Sequence, residues 1–243
     1  MKFSDELQFS HRDRRDIYEY IERYGTVDYE QARKALGMDP EAFGAHVTVL
    51  KRDGVIERDE DELRIAFEGI DIETFDCDGV DVTIRQAHED DLDGLVDAMH
   101  EALAEKTYIV GENIAETLEH EKVLLRHNEV SSRNVFVATA RGEVVGWVHL
   151  DHPETEALAH TAELTVGVLP DYRGKGIGEQ LLDRAVRWAD ENDIEKVYNS
   201  VPATNERAIA FLEDHGWETE AVREDHYRIG DDYVDEVMMA VRT

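Results

Sequence analysis

The residues with the clearest chemistry are Arg173, Gly174, Lys175, Gly176 and Gly178, which follow the β-type run Leu164-Thr165-Val166-Gly167-Val168 across Leu169-Pro170-Asp171-Tyr172. A helical stripe (Ile177, Leu181, Leu182, Ala185) starts inside the same stretch. A strand fed through a Gly-rich turn into a helix gathers consecutive backbone N–H groups at the helix N-terminus, where they and the helix dipole attract an anion. Glycine permits positive φ and close approach of a ligand to the backbone, and Arg173 and Lys175 add charge. The arrangement suits a pyrophosphate. Two other phosphate motifs fail on spacing. A Walker loop ends in Gly-Lys-Ser/Thr, whereas Lys175 precedes Gly176-Ile177, and a Rossmann fingerprint needs G-x-G-x-x-G near the start of its domain. A plain strand-to-helix turn is the bland alternative.

Arg173, Gly176 and Gly178 occupy the three fixed places of Q/R-x-x-G-x-G/A, so this segment resembles the central motif of the GNAT N-acetyltransferase superfamily. A second stretch, Asn205-Glu206-Arg207-Ala208 to Gly216-Trp217, is similar to the family's N-x-x-A pattern ending in Gly-aromatic. The resemblance implies a mixed α/β sheet flanked by helices over residues 82–243, acetyl-CoA as cosubstrate, and acetyl transfer to a primary amine by direct attack. It implies that Val166 and Val168 pair their backbones with the pantetheine arm. Arg173, Gly174, Lys175, Gly176 and Gly178 would hold the pyrophosphate, Asn205 would reach the pantetheine, and an N–H near Val168 would serve the oxyanion.

The same resemblance places Glu163 where many relatives keep a catalytic carboxylate; as one of 57 acids it could equally just begin a strand. Relatives often carry a proton-donating Tyr where this chain has Leu212, which leaves the general acid unassigned. Tyr198 and Tyr108 are alternatives that packing would also explain. His149 and His160 titrate near neutrality when unperturbed, but their neighbours suggest strand or loop surface. The tail Tyr227–Met239 resembles relatives that acetylate protein N-termini, ribosomal ones included, and also polyamine and antibiotic acetyltransferases. The acceptor therefore stays open between a protein N-terminus or lysine and a small cationic amine.

Periodicity supplies the elements that would position these groups. A strand at Val82–Arg85 leads to a helix with Leu92, Leu95, Val96, Met99 and Leu103 on one face, then to a helical stretch over 113–127. A hairpin follows (135–139 and 144–150, turning at Gly142), then the strand 164–168, a helix over 176–190, a strand at 197–201 and a helix over 205–215. Two β-rich stretches at 227–229 and 233–241 close the chain. Residues 71–81 read as a linker.

Residues 1–70 form a different unit. The stripe Ile17, Tyr20, Ile21 and Tyr24 predicts a helix closed by Gly25. Asp28 with Gln31 predicts a capped second helix, and Asp39-Pro40 opens a third. Two short strands, 55–58 and 63–67, follow. Three helices and a hairpin resemble a small winged helix-turn-helix domain, which suggests a second reading of the whole chain as an acetyl-CoA-sensing DNA-binding regulator. Its contacts would be His46, Thr48, Lys51, Arg52, Arg58 and Arg64. Yet residues 1–70 hold 11 Lys+Arg against 17 Asp+Glu, and phosphate binding wants a positive face. Winged domains also serve as docking or dimer modules, so DNA contact and a homodimer both stay open.

Composition speaks of solvent. The 243 residues carry 57 Asp+Glu against 26 Lys+Arg, a net charge of −31, spread along the chain. That excess destabilises a compact state unless salt screens it, and with few lysines it resembles the proteins of salt-accumulating halophiles. Cys77 is the one cysteine, so an internal disulfide and a thiolate metal cage are excluded, and no metal is expected. Without a membrane-length apolar run or a signal-like start, the expected compartment is cytoplasmic.

Overall fold

A computed structural model describes residues 11–52, 55–65, 72–103, 109–122, 124, 126–127 and 131–243. Tyr108, Ala66 and Phe67 lie outside them. The first unit opens with α1 (Arg12–Tyr24), which buries Ile17, Tyr18 and Ile21 and closes at Gly25 (φ 72°), whose N–H reaches the Ile21 carbonyl at 2.8 Å. A two-residue strand, β1 (Val27–Asp28), precedes α2 (Tyr29–Ala35). Asp28 caps α2 by accepting the Gln31 N–H at 2.7 Å, and Asp39 accepts the Glu41 N–H at 2.9 Å at the start of α3 (Pro40–Arg52). The hairpin β2 (Ile56–Asp59) and β3 (Glu62–Ile65) completes a small sheet of order β1-β3-β2. Its core includes Ile17, Ile21, Phe43, Val47, Leu50, Ile56 and Leu63. β1 was not expected, since two residues carry no alternation.

The second unit runs β4 (Glu73–Asp76), β5 (Asp81–Gln86), α4 (Leu92–Leu103), α5 (Ile109–Glu121), β6 (Arg126–His127), β7 (Ser131–Ala140), β8 (Glu143–Pro153) and β9 (Thr161–Val168). It continues with α6 (Ile177–Glu191), β10 (Lys196–Pro202), α7 (Glu206–Asp214), β11 (Glu218–Ile229) and β12 (Asp232–Arg242). The strand order is β11-β12-β10-β9-β8-β7-β5-β4, with β6 against β7. All pairs are antiparallel except β9–β10, which the α6 crossover joins in parallel.

Two-residue alternation gives this sheet an apolar layer on each face. Phe136, Ala138, Val148 and Leu164 pack with Ile177, Leu181 and Ala185 of α6 and Leu212 of α7. Val135, Val137 and Trp147 pack on the other side with Leu95 and Met99 of α4 and Leu118 of α5.

The structure corrects several boundaries. The 71–81 stretch is not all connector, because Glu73–Asp76 forms the edge strand β4 on β5. Phe75 packs against the main core, and Glu73 is neutralised by α6: its carboxylate lies 2.6 Å from Arg187 and 3.4 Å from Arg184. The acids had masked a short alternating strand. The second long helix starts at Ile109 and ends at Glu121, ahead of the predicted 113–127, and β11 begins at Glu218 rather than near Tyr227. Residues on both faces of β11 are nearly all exposed, so it shows no alternation of buried and exposed positions.

Candidate functional site

The site lies where β9 and β10 part. They pair only over Thr161–Glu163 and Lys196–Tyr198, and beyond those three residue pairs the strands diverge. Asn199 bridges the start of the gap by donating its side-chain N–H to the Leu164 carbonyl at 2.9 Å. Leu164 therefore turns its peptide groups toward β10. By alternation Val166 and Val168 do the same, while Leu169 turns the other way and donates to Val145 on β8.

The opening is a cavity of ≈ 350 Å³, lined by Val166, Val168, Gly174, Gly176 and Gly178 on one side and by Val201, Asn205, Phe211 and Leu212 on the other. Its floor at α6 is a helix N-terminus with Gly176 as N-cap (φ 86°) and no side-chain cap. The first N–H groups of that helix therefore point outward without an internal acceptor. Gly174 (φ 75°) precedes it in the same left-handed conformation, which a side chain would strain.

The predicted residues are distributed unevenly. Val166, Val168, Arg173, Gly174, Gly176, Gly178 and Asn205 all line the cavity, whereas Lys175 and Glu163 do not. Arg173 folds back so that its Nε donates to the Val168 carbonyl at 2.9 Å, bracing the loop. Asn205 caps α7 by accepting the Ala208 N–H at 3.2 Å, with its side chain buried. Arg207, in the first turn of α7, supplies a second cation to the lining; it followed Asn205 in the motif without being singled out.

Glu163 stands two residues before Thr165, which does line the cavity. It is exposed by area, yet surrounding protein withdraws enough solvation, with Asp151 and Glu236 adding like charge, to raise its carboxyl above the usual range against the pull of Arg223. Glu236 is buried and holds a cluster: Tyr227 donates its hydroxyl to it at 2.8 Å and Arg223 lies 2.9 Å away. Burial first, then Glu236, pushes the Tyr227 hydroxyl well up, so it stays protonated at neutral pH. Sequence reading passed over this cluster because its members sit on two strands whose register a bulge between Arg223 and Tyr227 shifts.

Leu212 is buried in the core and lines the cavity, so it offers shape and no proton. Tyr198 is half-buried, with the Lys196 ammonium 5.0 Å from its ring centre. His149 is not at the surface: it is buried in β8, and desolvation, helped by Arg133, lowers its pKa to about 3. His160 is exposed in the turn before β9. Of the residues proposed for nucleic acid, Arg58 stacks 4.1 Å over the Tyr29 ring and reaches Asp61, and Arg64 bridges Glu57 and Asp90. His46 faces Asp13 at 3.3 Å, and Thr48 donates to the Gly44 carbonyl.

A cofactor with a pyrophosphate and an amide-bearing arm fits this cradle: an uncapped helix end meets one part, outward strand amides the other. The chain belongs to the acetyltransferase (GNAT) family, whose model matches residues 96–217. It is 32% identical to an uncharacterized N-acetyltransferase of Archaeoglobus fulgidus, over 53% of this chain and 87% of that protein. It is 30% identical to another from Methanocaldococcus jannaschii, over 58% of this chain and 62% of that one, so the match spans less than two thirds of that relative. A 76-residue stretch is 29% identical to the [ribosomal protein bS18]-alanine N-acetyltransferase of Escherichia coli, covering 31% of this chain and 51% of the enzyme. The fold is that of a GNAT-family acetyltransferase from Streptococcus pneumoniae, with a TM-score of 0.56, 20% identity, and coverage of 67% of this chain and 99% of that one. The family uses acetyl-CoA as cosubstrate. Among the described residues no helix is long and apolar enough to cross a membrane.

Proposed function

We propose that this protein transfers an acetyl group from acetyl-CoA to a primary amine, with a protein N-terminus as the leading acceptor class. The observation that carries the reading is the cavity between the diverging β9 and β10, with Glu163 two residues upstream of its lining. Acetyl-CoA supplies an acetyl group activated as a thioester. The amides at the start of α6, with Arg173 and Arg207 beside them, would hold the pyrophosphate; Val166 and Val168 would hold the arm through their backbones, with Asn205 alongside. The Val168 N–H is the donor that would stabilise charge developing on the reacting carbonyl oxygen. Glu163 would take the ammonium proton, because a carboxylate with a raised pKa is a stronger base. Asp151, Glu163 and Glu236 together make the acceptor side attractive to a cationic amine. Leu212 cannot return a proton to the departing thiolate; the Tyr227 hydroxyl, held protonated by burial and Glu236, is a candidate donor.

The similarity to a bS18-alanine acetyltransferase supports a protein α-amine over a small amine. The test is release of free CoA at molar KCl with a panel of N-terminal peptides, a lysine peptide and spermidine, on the wild type and on Glu163→Gln. No release with any amine would overturn the reading; release with spermidine alone would move the acceptor to small polyamines. A DNA-binding regulator is the weaker reading, because Arg58 and Arg64 are engaged by carboxylates of their own chain.

A further inference from the structure

We propose that His11, Asp13 and His46 form a binding site for one divalent transition-metal ion of the zinc class, located in the N-terminal three-helix unit and separate from acetyl transfer. Asp13 Oδ2 lies 3.3 Å from His46 Nε2 and 3.6 Å from His11 Nδ1. Zinc bonds nitrogen and oxygen at about 2.0–2.2 Å, which puts neighbouring donors of a tetrahedral site about 3.4 Å apart. The two separations match that edge length. One donor atom from each residue falls within 4.8 Å of the others, and the two imidazole rings are 4.7 Å apart and tilted by 33°; a bound ion would draw His11 in to shorten the third edge.

The donors come from different elements held by a common core. His11 immediately precedes α1, Asp13 is in its first turn, and His46 is on α3 between the core residues Phe43 and Val47. His46 is the best shielded, with its side chain 15% exposed, while Asp13 and His11 are 41% and 52% exposed and leave room for water as a fourth ligand. Two imidazoles and one carboxylate suit zinc, cobalt or nickel rather than calcium or magnesium, which prefer all-oxygen sites. Two forces oppose the ion. The N-terminus of α1 is its positive end, and His11 Nδ1 already accepts the Asp13 N–H at 3.2 Å. The Asp13 carboxylate offsets the first, and the nearby Arg12 guanidinium is directed to Asp16, 3.7 Å away. A bound ion would replace that capping bond and clip the entry to α1 onto α3.

The chain has 11 His and 57 acids, so weak surface binding is expected and the test must count equivalents. Full-length protein, stripped with a chelator and held in molar KCl, is titrated with Co²⁺ read by visible absorption and with Zn²⁺ read by calorimetry. We expect one tight equivalent, with the intense absorption of tetrahedral Co²⁺ bleached by Zn²⁺. Asp13→Asn and His46→Gln should each weaken that equivalent by at least about tenfold. His160→Gln, at an exposed turn in the other unit, should leave it unchanged. No tight equivalent in the wild type overturns the proposal, as does equal binding by Asp13→Asn or an equal loss in His160→Gln. Circular dichroism checks that each variant folds. Should His46→Gln fail to fold, Asp13→Asn and the zinc-dependent rise in wild-type Tm decide the matter, and a Tm unmoved by zinc counts against the site.

Discussion

Glu163 sits in register between two polar neighbours, Asp151 across the antiparallel ladder to β8 and Tyr198 across the parallel pairing to β10. Desolvation by the surrounding protein, and then the like charge of Asp151 directly opposite, hold a proton on Glu163 to higher pH than on an isolated carboxylate. We expect Glu163→Gln to lower kcat/KM by about 10²- to 10⁴-fold while acetyl-CoA affinity changes little. A base must be deprotonated to work, and the raised pKa moves the acidic limb of the kcat/KM profile above pH 4.5. Steady-state rates from pH 4 to 9 check this, and a limb that survives in the variant would belong to another group.

Two glycines near the cavity should respond differently to alanine. A Cβ on Gly167 would lie 2.3 Å from the buried Trp147 ring, too close for any side chain, so Gly167→Ala should cost at least about 1–3 kcal/mol and lower Tm. A Cβ on Gly178 meets Phe211 at 3.5 Å and Val168 at 3.7 Å, which are ordinary contacts. Gly178→Ala should therefore keep both its Tm and most of its affinity for CoA, because the contacts are ordinary and the motif admits Ala at this place. Thermal scans beside calorimetric titration separate the two.

His149 makes stability depend on pH in a defined window. Its folded pKa of about 3 lies below the unfolded value of 6.5, so the unfolded chain binds the proton more readily in between. The contribution is fully present above pH 6.5, declines as pH falls, and is gone below about 3; its full size is on the order of a few kcal/mol. Urea midpoints from pH 7.5 to 5 should fall more steeply in the wild type than in His149→Gln, and parallel curves would show that His149 is not the cause.

The charge of −31 predicts a salt requirement. Carboxylates spread over the whole surface repel at low ionic strength, and screening shortens that repulsion to a few ångströms at molar salt. Tm should rise steadily between 0.1 and 2 M KCl. A Tm that does not change with KCl would mean the charge is locally compensated.

Much of the fold was legible because the pattern that makes an element also makes it readable. Asp28 with Gln31 announces a helix start, and the stripe on α6 marks its buried face. The glycine turn beside the cavity was legible for the same reason, since Gly174, Gly176 and the strand before them are local in sequence. Groups assembled from distant strands were not. Asn199 reaching the Leu164 carbonyl, or Tyr227 meeting Glu236, requires a register that no single segment contains. His149 was misread as a surface residue because its neighbours Val148 and Leu150 face the opposite layer, and the layer covering His149 comes from elsewhere in the chain. Lys175 reads as a phosphate ligand from its charge at the helix start and from the resemblance; the turn sets it outside the cavity lining, to which Arg207 contributes a cation instead.

Three residue pairs and the Asn199 side-chain hydrogen bond to Leu164 join β9 to β10 before they separate. The nine-stranded sheet is thus two panels hinged along a short seam, one carrying β9 and the strands beyond it, the other β10, β12 and β11. Past Glu163 the inner edges of both panels face each other across the cavity, and a ligand seated there would act as a temporary extra strand. Saturating the site would then strengthen the whole sheet, and product departure would return it to its loosest state. Apart from the pairing of the short β6, the sheet has its fewest cross-strand pairs where the cavity opens.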